Sequence, residues 1–221
     1  MKFNRLIDHT LLAPNATEED INRVVTEAIE NNFHTVMVNP YWVRKVHDAL
    51  KDTDVVTACV IGFPLGANTT RIKTLEAQDA INNGVDELDM VMNVGEMKSG
   101  HYEKVANDIK SVVETGHKAN KIVKVILETC LLSDEEITKA AKIAADQGAD
   151  FVKTSTGFST KGATVHGVEL MSEAVKDTPT QVKASGGIHT PEEAAALVKA
   201  GATRLGVSHS LDIIAKDSVL S

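Results

Sequence analysis

The sequence predicts an α/β fold, a single-domain (β/α)8 or TIM barrel over residues 1–221, and three observations carry that reading. One unit recurs: a capped helix, a helix-ending glycine with a small residue and Asp or Thr behind it, then a short apolar strand. It reads Asn83-Gly84-Val85-Asp86, Gln147-Gly148-Ala149-Asp150 and Ala200-Gly201-Ala202-Thr203, each glycine being the left-handed residue that stops a helix. Eight apolar segments of strand length follow one another, each succeeded by a helical pattern, the last of them short. Eight βα units in 221 residues match the compact end of the barrel range. Finally, no linker, low-complexity tract or composition shift divides the chain. A doubly wound open sheet is the alternative, because the first strand is the weakest of the eight.

In order, the strands fall at 6–9, 35–39, 55–61, 87–92, 122–127, 151–154, 181–184 and 204–207. Three helix starts are written out as capping boxes: Thr17 with Asp20, Ser133 with Glu136, and Thr190 with Glu193. Pro191 sits at a first helical position, where its missing N–H costs nothing. Behind Ser133, Ile137, Ala140, Ala141 and Ala144 make one apolar stripe. Trp42, after Asn39-Pro40-Tyr41, reads as a helix packing residue.

A hydrophobic content of 43% supports a sizeable core. The net charge of -8, with no basic run, argues against a nucleic-acid or anionic-membrane partner. It leaves room for a small phosphate, which a few backbone N–H groups can hold. Cys59 and Cys130 make neither a disulfide framework nor a CxxC pair. The eight histidines include no H-x-H or H-x-x-x-H pair, so neither a metal nor another cofactor is expected. The start lacks a signal peptide's apolar core and no run is long enough to span a bilayer, so a cytoplasmic protein is expected.

Three strands carry lysines where a barrel should carry Val, Ile or Leu: Lys124 in Val123-Lys124-Val125, Lys153 in Val152-Lys153-Thr154, and Lys183 in Val182-Lys183-Ala184. A fourth carries Asp89 in Leu88-Asp89-Met90. One such lysine alone reads as a side chain snorkelling to a rim. Three of them with an aspartate, on separate strands, read as a site at the C-terminal mouth of the barrel. Desolvation and a neighbouring cation lower a lysine's pKa and free its lone pair. Lys153 is therefore the expected nucleophile for a Schiff base, Lys183 the neighbouring charge, and Asp89 the group that moves protons. Ser185-Gly186-Gly187-Ile188 and Gly206-Val207-Ser208 leave the seventh and eighth strands, the usual place of a barrel phosphate site. Thr154 to Gly157 shape the turn behind Lys153. Asp8 and His9 are expected to face the mouth. Asp8 reads equally as a ligand of a substrate hydroxyl and as a loop-fixing carboxylate.

These residues together resemble the 2-deoxyribose-5-phosphate aldolases, a class I aldolase family. The likeness runs through Ile7-Asp8-His9-Thr10-Leu11-Leu12, Val60-Ile61-Gly62-Phe63-Pro64-Leu65-Gly66, Glu87-Leu88-Asp89-Met90-Val91-Met92-Asn93, Glu128-Thr129-Cys130-Leu131-Leu132, the stretch 151–158, and Val182-Lys183-Ala184-Ser185-Gly186-Gly187-Ile188. It implies a metal-free barrel enzyme, homodimeric or homotetrameric, that reversibly cleaves 2-deoxy-D-ribose 5-phosphate into D-glyceraldehyde 3-phosphate and acetaldehyde. It implies catalytic roles for Lys153, Lys183 and Asp89, and a phosphate site at Gly157, Gly186, Gly187, Gly206 and Ser208. Asp8, Thr10, Lys124, Thr154 and His209 complete the expected substrate-binding set. Three departures stand out. His209 occupies a position where the family has Ser or a small residue, and its ring either crowds the phosphate or adds a donor. Met37 replaces a cysteine of many members, which predicts better tolerance of reactive aldehydes than in a Met37→Cys variant. The chain ends Ser218-Val219-Leu220-Ser221, without the family's tail tyrosine, so closure by such a tail is not expected.

Overall fold

The computed structural model describes residues 3–217. In chain order the elements are β1 (Ile7–Leu11), α1 (Glu18–Glu30), β2 (Thr35–Val38), α2 (Val43–Leu50), β3 (Val56–Ile61), α3 (Thr70–Asn82), β4 (Glu87–Val91), α4 (Val94–Lys98), α5 (Tyr102–Lys118), β5 (Ile122–Ile126), α6 (Asp134–Asp146), β6 (Phe151–Lys153), α7 (Val165–Val175), β7 (Gln181–Ser185), α8 (Pro191–Lys199), β8 (Arg204–Val207) and α9 (Ser210–Asp217). The strands are parallel and close into a barrel in sequence order, β8 returning to β1. This closure removes the open-sheet alternative. Among the described residues, no helix is long and apolar enough to cross a membrane.

The weakest strand is the one whose bounds move most, the others shifting by one residue at most. Leu6 belongs to a 3-10 turn, Asn4–Leu6, closed by its N–H donating to the Phe3 carbonyl at 2.7 Å. β1 then runs on to Leu11, because Thr10 and Leu11 find partners in Met37 and Val38 of β2. Sequence alone cannot show that pairing.

The punctuation of the helices follows the residues. All three capping boxes form, at Thr17, Ser133 and Thr190. Gly84, Gly148 and Gly201 all have positive φ. At Gly84 a side chain is excluded twice over, since a Cβ there would lie 2.5 Å from the His47 ring. Trp42 lies in the 3-10 turn Pro40–Trp42, just ahead of α2, and packs against the core.

Strand residues alternate between the lumen and the surrounding helices. The outward residues, with Ile137, Ala140, Ala141 and Ala144 of α6 among their partners, form one buried apolar layer. The lumen is uneven. Toward β2 and β3 it holds an apolar group, Leu12, Met37, Ala58 and Val60. Toward β1 and β4 to β8 it is filled by charge. A second buried pair stands outside the lumen. Lys73 of α3 donates to Asp108 of α5 at 2.5 Å and to the Val91 carbonyl at 2.9 Å, clamping two helices to the end of β4.

Candidate active site

Seven charged side chains from β1 and β4 to β8 meet inside the barrel. Lys153, the last residue of β6, donates to Asp89 Oδ2 at 2.8 Å, and Lys183 of β7 donates to the same oxygen at 2.8 Å. The two amines are thus no more than twice that distance apart, within the ~6 Å over which charges move each other's pKa. Lys124 of β5 spans Asp89 Oδ1 and Glu87 Oε2, both at 2.6 Å. Arg204 of β8 reaches Asp8 Oδ1 and Glu87 Oε2, both at 2.9 Å. Lys183 also pairs with Asp8. Asp8, Asp89, Lys124 and Lys183 are wholly buried, and Lys153 is 3% exposed. Ions this dry are stable only as a mutually compensated network.

The members of the network do not share its charge equally. Burial lowers the Lys153 pKa, Lys183 and Lys124 push it the same way, and Asp89 opposes; the result is about 8. Burial also acts against the charge of Lys124, but Asp89, Glu87 and Asp8 outweigh it and raise that amine above the lysine range. The difference is one of partners. Lys124 bridges two carboxylates, whereas Lys153 shares one oxygen with a competing ammonium. Burial alone would raise Asp89, yet Lys124, Lys153 and Lys183 together hold it well below the carboxylate range.

Lys153 opens onto a cavity of about 580 Å3 at the C-terminal mouth, walled by the loops after β1, β6, β7 and β8. Of the residues singled out from sequence, Thr10, Gly157, Gly186, Gly187, Gly206, Ser208 and His209 border it. Thr10 also donates to the Asp8 carbonyl at 2.8 Å. Gly157, with φ of 83°, has nothing within 4 Å of where a Cβ would stand. Gly206 has another role besides. A Cβ there would come within 3.2 Å of Lys183 Cε and 2.9 Å of Ser185 Cβ, so its bareness makes room for the Lys183 stem.

Four expected placements are corrected. Asp8 lies in the network on Lys183 and Arg204, away from the mouth. His9, one residue on, points outward by strand alternation and is held by Glu27 of α1 at 2.7 Å and Ser210 of α9 at 2.8 Å. Lys124 is sealed between Asp89 and Glu87 and borders no cavity surface. Thr154 turns its hydroxyl to β7, donating to the Ser185 carbonyl at 3.1 Å and accepting from its N–H at 3.0 Å. Met37 sits fully buried in the apolar lumen wall. The tail 218–221, on which closure was weighed, lies outside the described residues.

The loop carrying Gly157 is anchored from below. Glu128, in the left-handed region at φ 56°, accepts the Thr156 hydroxyl at 2.5 Å and the Thr156 N–H at 3.3 Å. On the other side, Gly162 packs against Gly186 so closely that a Cβ would sit 2.0 Å from the Gly186 carbonyl oxygen. The loops after β6 and β7 are therefore packed directly on each other.

The sequence model of the DeoC/LacD family aldolases matches residues 4–216. The chain belongs to that family. This aldolase is 65% identical over 216 residues to the deoxyribose-phosphate aldolase of Lactiplantibacillus plantarum, covering 98% of this chain and 100% of the relative. It is 53% identical over 214 residues to that of Enterococcus faecalis, covering 97% and 96%. Among solved structures, the tetrameric deoxyribose phosphate aldolase of Aeropyrum pernix superposes with a TM-score of 0.92 at 34% identity, over 99% of this chain and 92% of that one.

Sequence reasoning passed over Glu87, Arg204, Glu128 and His189 in this aldolase. Glu87 had a readable signal, standing two residues before Asp89 on the same strand face. His189 follows Gly186-Gly187-Ile188 directly; it borders the cavity with its ring 5.9 Å from that of His209. Arg204 and Glu128 carry no local signal, since their partners lie far along the chain.

Proposed function

We propose that this aldolase reversibly cleaves 2-deoxy-D-ribose 5-phosphate to D-glyceraldehyde 3-phosphate and acetaldehyde through a Schiff base on Lys153. One observation carries the reading: among the described residues, Lys153 is the lysine whose amine both shares the buried carboxylate network and borders the cavity. With its pKa near 8, a useful fraction is neutral amine at physiological pH. That amine adds to the C1 carbonyl, water leaves, and an iminium forms. Loss of the C3 hydroxyl proton breaks the C2–C3 bond. Its electron pair flows into the iminium to give an enamine, and glyceraldehyde 3-phosphate departs. Protonation at C2 and hydrolysis release acetaldehyde and restore the amine.

In this scheme Asp89 stays a carboxylate. Its Oδ2 faces the iminium charge and offers a hydrogen-bonded path between Lys153 and Lys183. Gly157, Gly186, Gly187 and Ser208 offer backbone and hydroxyl donors to the phosphate, beside the N-terminal end of α9. His189 and His209 stand at the same end, which favours the reading of His209 as an added donor.

Borohydride reduction with acetaldehyde tests the proposal. The expected product is an ethylated lysine on the peptide containing Lys153, unaffected by a strong chelator. An adduct at no lysine, or at another lysine alone, overturns it. A panel of acceptors with and without the 5-phosphate separates this activity from that of an aldolase with another aldehyde partner. We further propose a single-domain, cytoplasmic homodimer or homotetramer. The family match across the barrel, the free thiols of Cys59 and Cys130, and the tetrameric Aeropyrum relative support that reading.

A further inference from the structure

We infer that Glu87 and Arg204, which touch no part of the cavity, are positioning residues whose charges decide whether Lys153 rests as amine or ammonium. The inference rests on the Schiff-base reading above and deepens it. Its basis is a count. The lumen holds four cations, Lys124, Lys153, Lys183 and Arg204, against three carboxylates, Asp8, Glu87 and Asp89. With every group ionised the sealed cluster carries one surplus positive charge. In a medium that solvates charge poorly, one cation is under pressure to discharge. Arg204 cannot lose its proton at any ordinary pH. Lys124 has two carboxylates of its own, and Lys183 has Asp8 and Asp89. Lys153 has only Asp89, shared, and it alone of the four borders the cavity. The surplus is therefore relieved at the nucleophile.

Glu87 and Arg204 begin β4 and β8, and each is nearly sealed, at 2% and 7% exposure. Their link to Lys153 is continuous: Arg204 to Glu87, Glu87 to Lys124, Lys124 to Asp89, Asp89 to Lys153. A second branch runs from Arg204 through Asp8 to Lys183 and Asp89. One other titratable group touches the cluster: His34 approaches Glu87 at 3.4 Å. The Cys59 thiol of β3, kept protonated by burial and then by Asp89, points outward into the apolar layer by strand alternation. The Phe151 ring stacks under Arg204, its centroid 5.2 Å away, and closes the floor.

The experiment reads the pH midpoint of borohydride trapping with acetaldehyde on the Lys153 peptide. Glu87→Gln raises the surplus by one, so the midpoint is expected to fall by roughly one pH unit. Arg204→Met removes the surplus, so the midpoint is expected to rise by about as much. The double variant restores the count and is expected to return to the native midpoint. Arg204→Lys keeps the charge while losing the guanidinium fork, and its midpoint should stay. A merely structural role predicts otherwise: every variant slows, the double variant most, and no midpoint moves in opposite senses. Circular dichroism and thermal melting establish folding first. Asp8→Asn substitutes for Glu87→Gln, and Arg204→Gln for Arg204→Met, where a variant does not fold. Opposite shifts with restoration support the inference. Coincident midpoints, or shifts of one sign, overturn it while leaving the Schiff base intact. Absence of any adduct on Lys153 in the native enzyme overturns both.

Discussion

Lys153 and Lys124 sit on adjacent strands, point into the same lumen and contact the same aspartate, yet they are driven to opposite ends of the lysine range. The second carboxylate makes the difference. A cation held at a lowered pKa also weakens the fold wherever it is charged. Below pH 8 both folded and unfolded chains carry the Lys153 proton, and the folded chain bears the full penalty. Between about 8 and 10.5 the unfolded chain still binds the proton while the folded chain has released it, so stability rises with pH. Lys153→Met, which keeps the volume and removes the ammonium, is expected to be more stable than the native protein at pH 7, by up to roughly 3 kcal/mol. That advantage should shrink through the window from 8 to 10. Denaturant titration at pH 7 and pH 10 measures it; a gap that widens with pH counts against the discharge of Lys153. The same variant is expected to give no trapped adduct.

At the level of elements, the mouth depends on two loops locked together. The loop after β6 is tied down by Glu128 through Thr156, and it meets the loop after β7 where Gly162 lies on Gly186. Gly162→Ala must push them apart, because the new carbon would stand 2.0 Å from a carbonyl oxygen. KM for the phosphorylated substrate is expected to rise about tenfold or more, while acetaldehyde still traps on Lys153. Initial rates and adduct mass, measured side by side, check this split. Equal loss of both would show that the loops serve the nucleophile rather than the phosphate. The elements themselves were largely legible in the chain, because caps, helix-ending glycines and apolar runs are local features. β1 was legible only in part, since its final residues are strand by virtue of β2 alone.

Across the whole molecule, what could not be read is what joins distant parts. Lys153, Lys183 and Asp89 stood out because a charge inside an apolar strand is conspicuous. Asp8 and Lys124 were expected at the substrate, Asp8 equally as a loop-fixing carboxylate, but both lie in the network below the mouth. Strand alternation says that a residue faces the lumen, not how deep it lies or which partner seals it. Arg204 meets Glu87 across 117 positions of sequence, and nothing near either residue announces the meeting. The Lys73–Asp108 pair was hidden in the same way within two ordinary amphipathic helices. Its role is distinct from that of the lumen. Lys73→Met leaves Asp108 buried with the Thr70 hydroxyl, at 2.8 Å, but without its cation. The expected loss is about 3–5 kcal/mol of stability, with the pH midpoint of trapping unchanged. Thermal denaturation and the trapping profile together distinguish a clamp from a member of the charge network.

The uneven lumen has a consequence for how such an enzyme can diverge. On the charged side a replacement that changes charge is felt at the nucleophile, because every residue there except Lys153 balances two or three others. The wall formed by Leu12, Met37, Ala58 and Val60 carries no such obligation. Leu12, the member of that wall which borders the cavity, can change shape without disturbing the proton inventory of the nucleophile. Variation in the aldehydes accepted is thus free to accumulate on one half of the barrel, while the other half keeps the chemistry unchanged from one descendant to the next.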